Sequence, residues 1–472
     1  MQENFVLHIE SNARRYGSKA ALVWESGSLT WSELEGLASG FARDLSRQGV
    51  RAGDRVALVL PNRADFAIAF LGVLKLGATA APVNPLLKRE ELQGLMADLR
   101  PKLVVDQVKA QPSMCDAVSH PAAPALILYT SGSTGRPKGA VFSHSALTFA
   151  NRSWGEPVMR LTPEDRVLAA LPLAHSLGLN GGLLAPLLLG ATVVLFLKRL
   201  TPEGVLDAIK RHRVTVLPGV ATVFRWLLNF PAFSTADLLS LRIAVSGAAP
   251  CPWELAREWQ ERTATRIVRG YGMTELFRPI SYFADDPTDI PDAVGKPVPG
   301  VEIRVVDNGD VPSRGAGELW IKSPAAMEGY LGDPEETRAV LEDGWFKSGD
   351  LATVSPDGYV RIVGRKRERI LRGGYSVFPQ EVEAVLLSHP AVAEAAVVGV
   401  PSRDLGEEVA AFVTLKPLAR VTQEELIEYC EERLAYFKYP RQVKIVEELP
   451  KGATGKILKS ELPKGESDFG EQ

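Results

Sequence analysis

The stretch Tyr129-Thr-Ser-Gly-Ser-Thr-Gly-Arg-Pro-Lys-Gly139 decides how the rest of this chain is read. It follows an apolar run, Ala125-Leu-Ile-Leu128, which reads as a buried strand ending in a loop. Glycines such as Gly132 let the backbone turn its amides inward. Thr130, Ser131, Ser133 and Thr134 add hydroxyl donors, and Lys138 adds a point charge. Such a loop suits a polyphosphate. The Walker pattern is absent, because no Gly-Lys pair stands at the required distance from Gly132 or Gly135. A flexible, solvated Ser/Gly loop is the bland alternative. The joint presence of threonine, lysine and proline argues against it.

Outward from this loop, the 472 residues exceed one ordinary core, so two or more domains are expected. Hydrophobic residues at 46% and charged residues at 24% are those of a soluble globular chain. With a net charge of −3 and no basic block, nothing suggests a nucleic-acid partner or a polybasic membrane anchor, and neither is expected. The 3 cysteines, Cys115, Cys251 and Cys430, are far apart and make no disulfide framework or metal site. They suit a reducing compartment, which points to the cytoplasm. Met1-Gln-Glu-Asn-Phe5 is not the start of a signal peptide. Residues 176–197 carry no charge and approach the length of a membrane span. Pro186 and Gly190 interrupt them, so a buried helix, turn and strand is expected and no transmembrane segment.

The first half repeats an α/β rhythm. Ser28-Leu-Thr-Trp-Ser-Glu-Leu34 reads as a strand and a capped helix. Arg55-Val-Ala-Leu-Val-Leu60 reads as a strand, and residues 63–76 have helical periodicity. Val214-Thr-Val-Leu217 and Leu241-Arg-Ile-Ala-Val245 read as buried strands. This alternation predicts mostly parallel sheets with helices on both faces. From Val301 the strands alternate as half-exposed antiparallel ones, including Gly317-Glu-Leu-Trp-Ile-Lys322. Past Arg367 comes a compact α+β pattern. The expected fold is α/β: a large N-terminal domain of two α/β subdomains plus a small β-rich subdomain, then a small mobile α+β C-terminal domain. The expected bounds are 1–366, 367–462 and a disordered tail at 463–472.

The loop at 129–139 resembles the phosphate loop of the acyl-adenylate-forming superfamily, which includes acyl-CoA synthetases, amino-acid adenylation domains and luciferases. Further motifs agree in order. Tyr271-Gly-Met-Thr-Glu275 resembles the adenine and magnesium motif. Trp345-Phe-Lys-Ser-Gly-Asp350 resembles the ribose motif, and Gly364-Arg365 with Gly373-Gly374 the interdomain hinge. Leu449-Pro-Lys-Gly-Ala-Thr-Gly-Lys456 resembles the catalytic-lysine motif. Residues 106–124 depart from the family in being short.

The resemblance implies a two-step ligase using ATP, Mg²⁺ and coenzyme A. A free carboxylate is a poor electrophile, and joining it to AMP neutralises it and supplies a leaving group. By motif matching, Thr130, Ser131, Thr134 and Lys138 hold the β- and γ-phosphates, and Gly132 and Ser133 belong to the same nucleotide-binding loop. Thr274 contacts the α-phosphate, and Glu275 ligates Mg²⁺, for which one carboxylate suffices. Tyr271 and Gly272 lie by the adenine, with Gly247, Ala248 and Ala249 as its wall. Asp350 accepts from both ribose hydroxyls, and Arg365 grips the ribose or phosphate. Lys456 neutralises charge in adenylation. In the family the small domain rotates between half-reactions about a hinge, here Arg367, bringing Gly373 and Gly374 beside the pantetheine arm. His175 lies near the acyl carbonyl in relatives, although a core histidine is its bland reading.

Leu173-Ala-His-Ser-Leu-Gly-Leu-Asn-Gly-Gly-Leu183 lacks the acid that amino-acid-activating relatives use, which argues against an amino acid. Small and apolar residues there, with Val220, Ala221 and Phe224, suggest an apolar acyl or aryl group. Arg278 either faces this pocket or makes a surface salt bridge, the latter being the ordinary reading. The expected function is ATP-dependent activation of an apolar carboxylic acid and its transfer to coenzyme A. The alternatives are loading of an acyl-carrier protein, an aryl or dicarboxylic acid substrate, and a nucleotide-binding protein without catalysis.

Overall fold

The computed structural model describes residues 3–463 except 88, 116, 118–119, 121, 131–136, 287–289, 308–310, 313–314, 367–369, 373–374, 378, 403–404, 435, 437 and 452–456. Ser131, Gly132, Ser133, Thr134, Arg367, Gly373, Gly374, Lys456 and most of the expected tail therefore lie outside the described residues.

The α/β rhythm of the first half builds two largely parallel sheets. In the first, neighbouring strands are Arg266–Val268, Ile243–Ser246, Val216–Gly219, Arg166–Ala169, Thr192–Leu195 and Ala20–Trp24, all parallel. The hairpin strand Gly27–Thr30 closes its edge antiparallel. Buried aliphatic residues make up most of these strands, as burial on both faces demands. The second sheet runs Gly329–Tyr330, Lys138–Ser143, Pro124–Thr130, Thr79–Pro82, Arg55–Leu58 and Leu103–Val105. Its first two strands are antiparallel to their neighbours.

Helix starts follow the local chemistry. Thr30 and Glu33 make a reciprocal capping box on Trp31–Arg47. Helix Ala64–Lys75 ends on Lys75, which is buried and reaches Glu10 at 2.5 Å and Glu35 at 2.6 Å. A buried lysine needs such partners, and this one ties three helices together. Residues 111–113 of the short segment lie against helix Trp31–Arg47. Ser113 donates its amide to Gly36 at 3.0 Å, and a Cβ on Gly40 would overlap the Gln111 carbonyl. Residues 176–197 form helix Ser176–Leu179, a π-turn at Asn180–Leu184, helix Ala185–Leu188 and strand Thr192–Leu195. That is the expected buried helix, turn and strand. No helix among the described residues is long and apolar enough to cross a membrane.

The chain divides into two compact units, residues 1–303 with 321–346, and residues 304–320 with 347–472. The second unit contains the antiparallel pair of Trp345–Val354, mostly, and Val360–Arg365. It also contains a sheet of Tyr375–Val377, Ile370–Arg372, Gly406–Leu415, Val392–Ser402 and Gln442–Ile445. Helices Pro379–Ser388 and Gln423–Glu431 pack there around Val382, Leu386, Leu426 and Cys430.

Candidate active site

Four adjacent parallel strands of the first sheet deliver their carboxyl ends to one edge, where open α/β sheets hold ligands. Beyond Ala169 the chain leads to His175 and beyond Gly219 to Val220 and Ala221. Beyond Ser246 come Gly247, Ala248 and Ala249, and beyond Val268 comes Tyr271. The sheet thus collects residues as far apart in the chain as His175 and Tyr271. Gly247 donates its amide to the Gly219 carbonyl at 3.3 Å, tying two of these ends together. Ala248 has φ +64°, a strained conformation for a residue with a side chain.

His175 precedes helix Ser176–Leu179, and its carbonyl accepts the Leu179 amide at 2.8 Å. It is half-buried, and burial holds its imidazole below the usual histidine range. It is therefore a neutral donor and acceptor at neutral pH. Asn62 pins the loop before it from the second sheet. Its Nδ2 donates to the Leu171 carbonyl at 2.7 Å, and its Oδ1 accepts the Leu173 amide at 2.9 Å. Val220 and Ala221 pack at the margin of the core beneath, whereas Phe224 is wholly buried, edge-on to Trp259 with centroids 5.3 Å apart. Phe224 is thus placed in the core.

Tyr271 and Gly272 lie in strand Gly270–Met273, antiparallel to Phe277–Ser281. The 3-10 turn Thr274–Leu276 between them presents Thr274 and Glu275, both half-buried. A Cβ on Gly272 would overlap the Phe277 carbonyl oxygen, so this tight turn requires glycine.

The two ends of the expected phosphate loop belong to strands of an antiparallel hairpin, since Thr130 pairs with Lys138. This is not the strand-to-helix turn of a P-loop. Lys138 Nζ is ion-paired with Glu336 and lies 5.3 Å from the ring centroid of Tyr330. The Tyr330 hydroxyl donates to Glu275 Oε1 at 2.8 Å. Backbone bonds stitch this strap down. Met327 donates to the Glu275 carbonyl at 2.9 Å, and Leu331 donates to the Gly139 carbonyl at 2.7 Å. Lys138 and Glu275, 137 positions apart in the sequence, therefore meet on one tyrosine. Sequence reasoning missed Tyr330, Glu336 and Asn62, because nothing local marks a residue whose role is a long-range contact.

Arg278 does not form the surface salt bridge of the ordinary reading. It is 9% exposed, and its partners are neutral. Nε donates to Ser281 Oγ at 3.0 Å, Nη1 to the Ser246 carbonyl at 2.8 Å and Nη2 to the Val268 carbonyl at 3.2 Å. Burial, weakly opposed by Cys251, pushes the guanidinium down to about 9. The strand after the motif turns back under the sheet edge, which carries Arg278 inward.

In the second unit Asp350 and Arg365 face each other across the hairpin, with Arg365 Nε 3.1 Å from Asp350 Oδ1. The Asp350 side chain is 8% exposed and that of Arg365 46%. Ser348 Oγ accepts the Asp350 amide at 3.1 Å and orients the turn before it. No group of three or more His, Cys, Asp or Glu that could hold a metal occurs among the described residues. A single carboxylate such as Glu275 fits an ion that takes its remaining ligands from phosphate and water.

Residues 9–119 and 111–331 match the AMP-binding enzyme family, and residues 381–456 match the AMP-binding enzyme C-terminal domain. A feruloyl-CoA synthase of Amycolatopsis sp is 35% identical over 95% of this chain and 96% of its own. A long-chain-fatty-acid–CoA ligase of Yersinia pestis is 32% identical over 96% and 92%. An anthranilate CoA ligase solved in complex with anthranoyl-AMP superposes with a TM-score of 0.88 at 32% identity, covering 96% of this chain and 95% of that one. The chain belongs to the AMP-binding enzyme family, within the acyl-adenylate-forming superfamily.

Proposed function

We propose that this enzyme is an AMP-forming acid–thiol ligase that joins an apolar carboxylic acid to coenzyme A. The observation that carries this is the sheet edge. His175, Val220, Ala221, Gly247 to Ala249 and Tyr271 emerge there side by side, and the Lys138–Tyr330–Glu275 contact supplies a phosphate end.

In the first step the acid's carboxylate attacks the α-phosphorus of ATP and pyrophosphate leaves. Little covalent work falls to the protein, so positioning and charge supply the catalysis. Thr130, Ser131, Thr134 and Lys138 hold the β- and γ-phosphates in the loop that contains Gly132 and Ser133, with Lys138 exchanging Glu336 for phosphate oxygens. Thr274 contacts the α-phosphate. Glu275, oriented by Tyr330, would hold Mg²⁺, which when bound offsets charge on the triphosphate. Tyr271 and Gly272 lie by the adenine, against Gly247, Ala248 and Ala249. Asp350 accepts from the ribose, Arg365 steadies it, and Lys456 neutralises charge at the reacting carboxylate. In the second step a thiol attacks the acyl carbonyl and AMP leaves, with neutral His175 beside that carbonyl and Gly373 and Gly374 along the pantetheine path. We assign domains at 1–366 and 367–462 with Arg367 as hinge, and a cytoplasmic location on the cysteine chemistry.

The test is pyrophosphate release with ATP and Mg²⁺ across a panel of acids, followed by thioester formation with coenzyme A or an acyl-carrier protein. Release only with amino acids, or with no acid, overturns the reading. Thioester on the carrier protein alone replaces coenzyme A as acceptor.

A further inference from the structure

Arg278 is a buried cation without a carboxylate counter-ion among the described residues. A guanidinium has five N–H donors, and the three bonds to Ser281, Ser246 and Val268 leave two. No carboxylate pairs with it among the described residues. An ionic group in such a place is costly unless something compensates it. Two neighbours are also incompletely bonded. Ser246, whose carbonyl receives Nη1, has a buried hydroxyl without a partner among the described residues. Trp154, whose ring centroid lies 5.5 Å from the guanidinium carbon, has a buried indole N–H in the same state. Ser246 is 1% exposed and Trp154 3%.

The place matters as much as the chemistry. A Cβ on Gly247 would lie 3.3 Å from Arg278 Nη1 and 3.3 Å from Leu177 Cδ1. Gly247, which opens the proposed adenine wall, therefore lies between the guanidinium and Leu177, the residue two beyond His175. A Cβ on Gly270 would lie 2.6 Å from both Cζ and Nε, so the cation rests on the bare face of that glycine. The sheet edge keeps room for this charge at the cost of a side chain.

We propose that Arg278, with Ser246 and Trp154, binds the far end of the acid, and that the preferred substrate carries an acceptor there, a second carboxylate above all. The inference rests on the sheet edge being the acid site. A distal carboxylate would take the two remaining guanidinium N–H groups and supply the missing counter-charge. A plain aliphatic acid of the same length would leave these donors unmatched. Sites built to bond a polar group discriminate strongly against analogues lacking it. The apolar lining nearer the carbonyl then accommodates the chain between the two ends.

The test compares kcat/KM for α,ω-dicarboxylic acids, ω-keto acids and monocarboxylic acids of matched length, by pyrophosphate release. The dicarboxylic acid is expected to lead in the wild-type enzyme. Ser246→Ala removes a hydroxyl that has no partner among the described residues, so it should reduce the ratio of dicarboxylic to monocarboxylic kcat/KM without unfolding. Arg278→Met should reduce that ratio about tenfold to a hundredfold, the loss of a charged hydrogen-bond donor. Its KM for ATP and its melting temperature report damage to the adenine wall. A merely structural arginine would lower activity with every acid alike and leave the ratio unchanged, which overturns the proposal. A lead for the keto acid over the dicarboxylic acid overturns the carboxylate preference. Pyrophosphate release with none of the acids overturns the ligase reading itself, a separate outcome.

Discussion

His144 and Tyr330 show how single side chains carry consequences that their neighbours in sequence do not announce. His144 opens helix His144–Gly155, is 0% exposed, and has no partner for either ring nitrogen among the described residues. Burial pushes its imidazole down to about 4. The folded chain keeps it neutral while the unfolded chain takes up a proton near pH 6.5. Stability from this residue is therefore complete above pH 6.5 and is lost as pH falls toward 4, by up to about 3 kcal/mol. In His144→Leu the melting temperature should fall less steeply over that window than in the wild type. Parallel slopes would show that His144 does not set the acid sensitivity. Tyr330→Phe removes the hydroxyl that donates to Glu275 and keeps the ring. It should raise the Mg²⁺ concentration needed for half-maximal pyrophosphate release by about tenfold, the usual effect of losing a group that orients a ligand. An unchanged Mg²⁺ requirement would mean that Glu275 needs no such support.

At the scale of elements, local patterns were legible and pairings were not. Strand Gly317–Lys322 reads to the residue from its alternation, and helix Ala64–Lys75 lies within the periodic stretch 63–76. The Thr30–Glu33 capping box is visible in the sequence because all its parts are neighbours. The strap at Gly329–Tyr330 is not, since two residues carry no period and their meaning lies in pairing with Val141 and Ala140. The same reason hid the inward turn of Arg278 and the role of Asn62. The candidate site was thus legible where a motif names a residue, and illegible where packing across the sheet assigns one. The segment at 106–124 was seen only as short, yet its Gln111 dictates Gly40. Alanine at position 40 gains up to about 1 kcal/mol of helix propensity. Its Cβ overlaps the Gln111 backbone, however, and overpacking costs about 1–3 kcal/mol. Gly40→Ala should therefore lower the melting temperature and speed proteolysis within 106–123. A more stable variant would show that the segment yields at no cost.

The whole molecule supports two chemical steps with one set of motifs, and the motifs fall in both compact units. The first unit carries the sheet edge, and the second carries Asp350 with Arg365. The second also carries the bridge between Lys451 and Ile457, which flanks position 456. Adenylation gathers negative charge where carboxylate meets α-phosphate. Thioester formation releases AMP from an acyl carbonyl and gathers far less. A lysine that serves the first charge need not serve the second, whereas a group that holds the ribose serves both, because AMP stays bound throughout. Lys456→Ala should then slow adenylation by about 100-fold or more, comparable to losing a preorganised donor. Thioester formation from supplied acyl-adenylate should be nearly unchanged. Asp350→Ala should impair both steps. Single-turnover kinetics of each half-reaction in the purified variants separates these outcomes. Equal losses in both halves for Lys456→Ala would remove the division of labour between the steps. The proposed roles of Glu275 at Mg²⁺ and of Lys138 at the phosphates would stand, because they are supported independently by their common contact with Tyr330.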